Sequence, residues 1–201
     1  MLTYKQKIVK VTEAYKDMII NILSNPENEM IKIIEIVSSN YKEGKTKIST
    51  GLSIVLSKNK KKVLLIDCNL RKPKCHKVFK MTNDYGLLDV LLDEKKYEEV
   101  VKKYYDNLDI LLTGQVDNRQ IDVIESKKMD ELLEILKEKY DYIILDTPSI
   151  NFYTDAQILS QKSDGVILAV NSKKVDLEEL KTVKKKIEIV NANILGIVLN
   201  E

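Results

Sequence analysis

Six short runs of leucine and β-branched residues recur along the chain, at 30–37, 63–67, 108–112, 142–146, 165–170 and 194–199. Each is too short for a typical helix and too continuously apolar for a strand with one wet face, so each reads as a strand buried on both sides. Between them the spacing changes to threes and fours. Ile8, Val11, Tyr15, Met18, Ile19 and Ile22 fall on one helical face within 5–23, and Ile48, Leu52, Val55 and Leu56 mark a second helix. Residues 86–92 read as a short helix. Met129, Leu132, Leu133, Leu136 and Tyr140 make a longer one, and Leu177, Leu180, Val183, Ile187 and Val190 another. Strands alternating with amphipathic helices predict an α/β fold: a mostly parallel β-sheet flanked by helices on both faces.

Composition sets the outer limits. The 201 residues suit a single domain spanning 1–201, long enough to bury its apolar side chains without disulfides. Thirty-three lysines and arginines against 31 acids leave no overall bias toward nucleic acid, and none is expected as a partner. Cys68 and Cys75 are too few for a disulfide framework or a zinc site. No stretch approaches the length of a membrane span, so the expectation is a cytoplasmic protein that reaches a membrane only through a partner.

The first apolar run leads into Ser38-Ser39-Asn40-Tyr41-Lys42-Glu43-Gly44-Lys45-Thr46. Gly-Lys-Thr between a strand and a helix is how a phosphate-binding loop ends. Backbone N–H groups surround the phosphates, the lysine reaches the β/γ end, and the hydroxyl serves Mg²⁺. Ser39 stands where the usual spacing has glycine. Asp67 and Asp146 each close an apolar run, and ligands of open parallel sheets collect beyond the carboxyl ends of the strands. Asp146 has the setting of an acid that orients Mg²⁺ through its water shell, while Asp67 reads either as an outer ligand of the ion or as a base toward an incoming hydroxyl. Arg71, Lys72 and Lys42 read equally as charge near a polyphosphate or as exposed loop residues.

These residues resemble a known family, the cytoplasmic ATP-binding domain of the bacterial tyrosine kinases of capsular and exopolysaccharide synthesis, within the deviant Walker A P-loop ATPases. The resemblance rests on Val63 to His76 (VLLIDCNLRKPKCH), Gly86 to Leu91 (GLLDVL), Tyr140 to Pro148 (YDYIILDTP) and Thr154 to Gln157 (TDAQ). It implies ATP and Mg²⁺ as cofactors. It makes Lys42, Glu43, Gly44, Lys45, Thr46, Lys47 and Asn200 the nucleotide-binding set, with Asn200 at the base. It implies Lys45, Asp67 and Asp146 as catalytic residues, and Thr46, Asp67 and Asp146 as the metal site. A homo-oligomer, protein tyrosine substrates and a membrane-protein activator of polysaccharide export would be the partners. The helix over 5–23 would be an oligomer contact, its motif standing here as Glu13, Lys16 and Ile19.

The chain also departs from that pattern. Tyr41-Lys42 replaces a proline-glycine pair, Asn69 replaces the second acid of an Asp-x-Asp motif, and Asp117 to Gln120 replaces a proline-rich turn. Of the ten tyrosines only Tyr104 and Tyr105 are adjacent, so the family's tyrosine cluster does not occur within 1–201. The leading expectation is an ATP-dependent protein-tyrosine (auto)kinase. A catalytically weakened scaffold for a polysaccharide-export membrane protein and a partitioning-type ATPase are its alternatives.

Overall fold

The computed structural model describes residues 15–20, 30–116 and 121–200. One seven-stranded sheet runs through the described part, in the spatial order β3-β4-β2-β5-β1-β6-β7. The strands are β1 (Ile33–Ser38), β2 (Val63–Asp67), β3 (Lys102–Tyr105), β4 (Leu108–Leu111), β5 (Tyr142–Asp146), β6 (Gly165–Asn171) and β7 (Ile194–Asn200). All neighbours pair parallel except β3 and β4, so the mostly parallel sheet read from the sequence is the one that forms.

Every residue of β1, β2 and β6 up to Val170 is buried, and alternation sorts these side chains into two layers. Ile33, Leu64, Ile66, Ile143 and Leu145 point into one apolar cluster. Ile34, Ile36, Val63, Leu65 and Ile144 point into the opposite one. The helices that cover these layers are α1 (Lys45–Lys58), α2 (Cys75–Phe79), α3 (Leu87–Leu91), α4 (Tyr97–Val100), α5 (Lys127–Lys137), α6 (Asp155–Lys162) and α7 (Leu177–Ile189). Helix α1 contributes Ile48, Leu52 and Leu56 to the second cluster, and α5 contributes Met129, Leu132, Leu133 and Leu136 to the first.

Three differences from the sequence reading have local causes. The first strand begins at Ile33 rather than at Met30, because Asp164 Oδ2 accepts from the N–H of Lys32 at 2.9 Å and of Ile33 at 2.7 Å, leaving Met30 outside and exposed. Strand β3 had no apolar run to announce it. Its Lys-Lys-Tyr-Tyr sequence alternates half-buried and exposed, as suits an antiparallel edge guarded by lysine. Helix α6 is equally inconspicuous, since two of its buried residues, Asp155 and Ser160, are polar.

Of the helix expected over 5–23, residues 15–20 are helical and the rest lies outside the described residues. Glu13 and the segment 117–120 lie outside as well. The Tyr15 hydroxyl donates to the Lys47 carbonyl at 2.8 Å, and its ring lies where a Cβ on Gly51 would sit, 2.3 Å from that point. A glycine inside α1 is thus what lets this segment approach the helix. Among the described residues no helix is long and apolar enough to cross a membrane.

Candidate functional site

Strands β1, β5 and β2 are neighbours at the centre of the sheet, and their carboxyl ends meet at one place. The loop after β1 turns into α1 through Gly44, whose φ of 93° is the left-handed conformation that glycine adopts without strain. No side chain caps α1. Its first turn therefore offers backbone N–H groups, and the positive end of the helix dipole, to an anion. Lys42, by contrast, is a non-glycine residue held at φ 64°. The missing glycines of this loop leave a backbone conformation that costs a side chain about 1 kcal/mol.

Lys45 does not extend into solvent. Its Nζ donates to Ser38 Oγ at 2.6 Å and to Ser149 Oγ at 3.1 Å, and the residue is buried. Burial pulls its pKa down to about 8, against the opposing pull of the Asp146 carboxylate. Thr46 Oγ1 donates to Asp146 Oδ2 at 2.7 Å. The Asp146 Oδ1 atom is buried and has no hydrogen-bond partner among the described residues. Burial raises the pKa of Asp146, with the Thr46 hydroxyl and the Lys45 charge working the other way.

Asp67 is fixed by backbone donors. Its Oδ1 accepts from Asn69 N at 3.2 Å, and its Oδ2 accepts from Lys74 N at 3.1 Å and Cys75 N at 2.9 Å. Even so, burial and the neighbouring Asp146 push it up to about 7. One carboxylate oxygen of each acid and the Cys75 sulfur lie within 4.8 Å of one another. A buried carboxylate pair with an oxygen left unsatisfied is a cation site by its chemistry: a divalent ion would relieve both the repulsion and the missing hydrogen bond. The donor set of Thr46, Asp67 and Asp146 fits Mg²⁺.

The remaining residues of the expected binding set hold the loop itself. Glu43 Oε2 accepts from Asn40 N at 2.9 Å, and Lys47 Nζ donates to Asn200 Oδ1 at 2.8 Å. Asn200 Nδ2 donates in turn to the Glu43 carbonyl at 3.3 Å and would lie 2.2 Å from a Cβ on Gly44. Asn200, at the end of β7, therefore packs directly against the loop. Lys42 is exposed. Arg71 and Lys72 are taken up elsewhere. Arg71 makes two hydrogen bonds to Asp155, at 3.0 and 3.1 Å, and lies over the Tyr153 ring, while Lys72 lies over the ring of Tyr41.

Sequence reasoning missed three contributors: Ser38 and Ser149, which hold the lysine, and Cys75. Ser38 ends a buried strand and Ser149 follows Asp-Thr-Pro, so a polar residue just past an apolar run was the available signal. Cys75, at the start of α2, carried none, because its partners Asp67 and Asp146 end two separate strands. Counting cysteines, which argued against a zinc site, could not anticipate a mixed cluster.

The chain is similar in sequence and in fold to known proteins. Residues 31–198 match the family model described as AAA domain. The chain is 34% identical over 190 residues to "Tyrosine-protein kinase YwqD" of Bacillus subtilis, covering 94% of this chain and 80% of that protein. Among solved structures, the chimerical protein CapA2B2 superposes with a TM-score of 0.87 at 31% identity, covering 92% of this chain and 82% of that one. The septum site-determining protein MinD of Pyrococcus horikoshii, complexed with Mg-ADP, superposes at 0.72 with 29% identity, over 85% of this chain and 70% of its own.

Proposed function

From a chain that belongs to the bacterial tyrosine-kinase family of capsular and exopolysaccharide synthesis, a branch of the P-loop ATPases, we propose an ATP-dependent protein-tyrosine kinase that regulates polysaccharide production. The observation that carries this reading is the meeting of Lys45, Thr46, Asp67 and Asp146 at the ends of three adjacent strands.

In this reading the free N–H groups at the start of α1 bind phosphate oxygens. Lys45 exchanges its two serine partners for the β/γ end of ATP, which places its charge where the transition state is most anionic. Thr46 and Asp146 would hold Mg²⁺, with Asp67 completing the site. The ion, when bound, supplies further neutralisation of the phosphate oxygens. Asp67 has the properties of the base: a carboxylate fixed by three backbone N–H groups and poised near pH 7 accepts the tyrosine proton as the hydroxyl attacks. Asn200 and Lys47 would border the nucleotide by holding the loop. A homo-oligomer, a membrane-protein activator and a cytoplasmic location belong to the same proposal, and family membership is their support.

The test is calorimetric titration with ATP and Mg²⁺, together with phosphotyrosine formation by the wild type and by Asp67→Asn. Binding by both, with transfer lower by about 10²-fold or more in the variant, is expected. Absence of binding at millimolar nucleotide ends the kinase reading.

One observation favours a second reading. The strained, glycine-poor loop at Lys42, with Asn69 beside Asp67, fits a scaffold that binds an export-system membrane protein without phosphorylating it. Nucleotide binding without any transfer, together with association in co-expression, would select it. Hydrolysis stimulated by DNA or lipid with no phosphotyrosine would instead indicate a partitioning-type ATPase.

A further inference from the structure

The sulfur of Cys75 lies 3.5 Å from Asp146 Oδ2, and the Cys75 backbone is pinned by its N–H to Asp67 Oδ2 at 2.9 Å. The thiol is therefore held against both carboxylates, fully buried, beside the Asp146 Oδ1 that has no partner among the described residues. Cys68 is also buried but lies in the other core layer and does not join this group. Two carboxylates alone make an oxygen site for a hard ion. A third donor that is sulfur changes the preference, because thiolate selects zinc-like cations and contributes little to Mg²⁺. The spacing suits it. Zinc bound at about 2.3 Å to sulfur and about 2.0–2.2 Å to oxygen keeps its donors roughly 3.5 Å apart in a tetrahedron. The sulfur–oxygen separation already has that value, and the whole set lies within 4.8 Å.

We propose that Asp67, Cys75 and Asp146 form a three-donor site for a thiophilic divalent cation, Zn²⁺ in the first place, with water at the fourth position. On binding, the sulfur–metal bond replaces the sulfur–hydrogen bond and the proton leaves to solvent, with no change of oxidation state. A zinc ion seated there occupies the same two carboxylates that the nucleotide's magnesium would use. The cation then shuts the nucleotide site, a consequence that rests on the function proposed above, whereas the metal site does not.

The experiment is titration of the full chain, reduced and free of nucleotide, with Co²⁺ as the spectroscopic probe. A thiolate-to-cobalt charge-transfer band saturating at a single ion per chain is expected, abolished by Zn²⁺ and unaffected by equal Mg²⁺. Cys75→Ser should lose the band and weaken Zn²⁺ binding at least tenfold, while Cys68→Ser keeps both. A second measurement does not depend on any variant folding: Zn²⁺, but not Mg²⁺, should slow alkylation of Cys75 in the wild type, read by mass spectrometry of the modified peptide. A wild type with no band, or Cys75 alkylation indifferent to Zn²⁺, overturns the site. A band in a protein that fails to bind ATP upholds the metal site and removes the nucleotide reading alone. Zn²⁺ competition against Mg-nucleotide in the wild type, at least tenfold smaller in Cys75→Ser, supports the shut-off.

Discussion

Asp67 and Asp146 are register partners at the last paired position of β2 and β5, so two acids from distant parts of the chain leave the sheet side by side on neighbouring parallel strands. Neither is exposed, and burial, with the neighbouring Asp146 carboxylate adding to it, pushes the Asp67 pKa up to about 7. Cations and protons therefore compete for this pair. If Asp67 is the base, phosphoryl transfer rises with pH as it ionises and levels off above its pKa. Because Mg²⁺ stabilises the ionised pair, raising its concentration should move that acid limb to lower pH. The pH profile of kcat/KM at two magnesium concentrations checks this, and a limb that does not move would separate Asp67 from the metal.

Lys45→Met removes the buried ammonium and keeps most of its volume. The expected result is nucleotide binding weakened tenfold or more and transfer reduced by about 10²-fold or more, since the lost donor acts where charge develops. Titration calorimetry and a phosphotyrosine assay read the two effects. Wild-type binding in the variant would mean that Lys45 serves only Ser38 and Ser149.

Glu35 lies in the middle of β1, wholly buried, with Ser160 donating to its Oε2 at 2.6 Å and its Oε1 unpartnered among the described residues. Burial pushes its pKa from 4.5 to about 8. The folded chain keeps this proton over a range where the unfolded chain has lost it, so stability is fully present below about 4.5 and falls as pH rises toward 8. Glu35→Gln preserves the shape and removes the proton. Its stability relative to the wild type should improve by up to about 1.4 kcal/mol for each pH unit across that window. Urea unfolding at several pH values measures this, and a difference independent of pH would contradict it.

Lys42→Gly tests the price of the loop's composition. Glycine relieves the left-handed backbone at φ 64° but adds freedom to the unfolded chain, so stability should change by less than about 1 kcal/mol. The relaxed loop should bind nucleotide as tightly as the wild type or a few-fold more tightly. A tenfold loss in calorimetry would show that the exposed Lys42 ammonium itself contacts phosphate.

Much of the fold was legible because burial on both faces writes an unbroken apolar run, and an amphipathic helix writes its period. The runs at Val63–Asp67 and Tyr142–Asp146 form strands with those limits, and Gly44-Lys45-Thr46 opens α1 as the triplet implied. Elements that are short, polar or at the edge, such as β3 and α6, carry too few apolar positions to show a period. Local pattern also does not encode which strands become neighbours. That choice depends on how the whole set of apolar faces is buried together, and it alone places Asp146 beside Asp67, Ser149 on Lys45, Asn200 on Gly44 and Cys75 within reach of both acids. The sequence by itself determined the six apolar strands, the longer amphipathic helices and the chemistry at their ends. Tertiary structure decided which of those ends share one site, because long-range pairing has no period within a single segment to betray it.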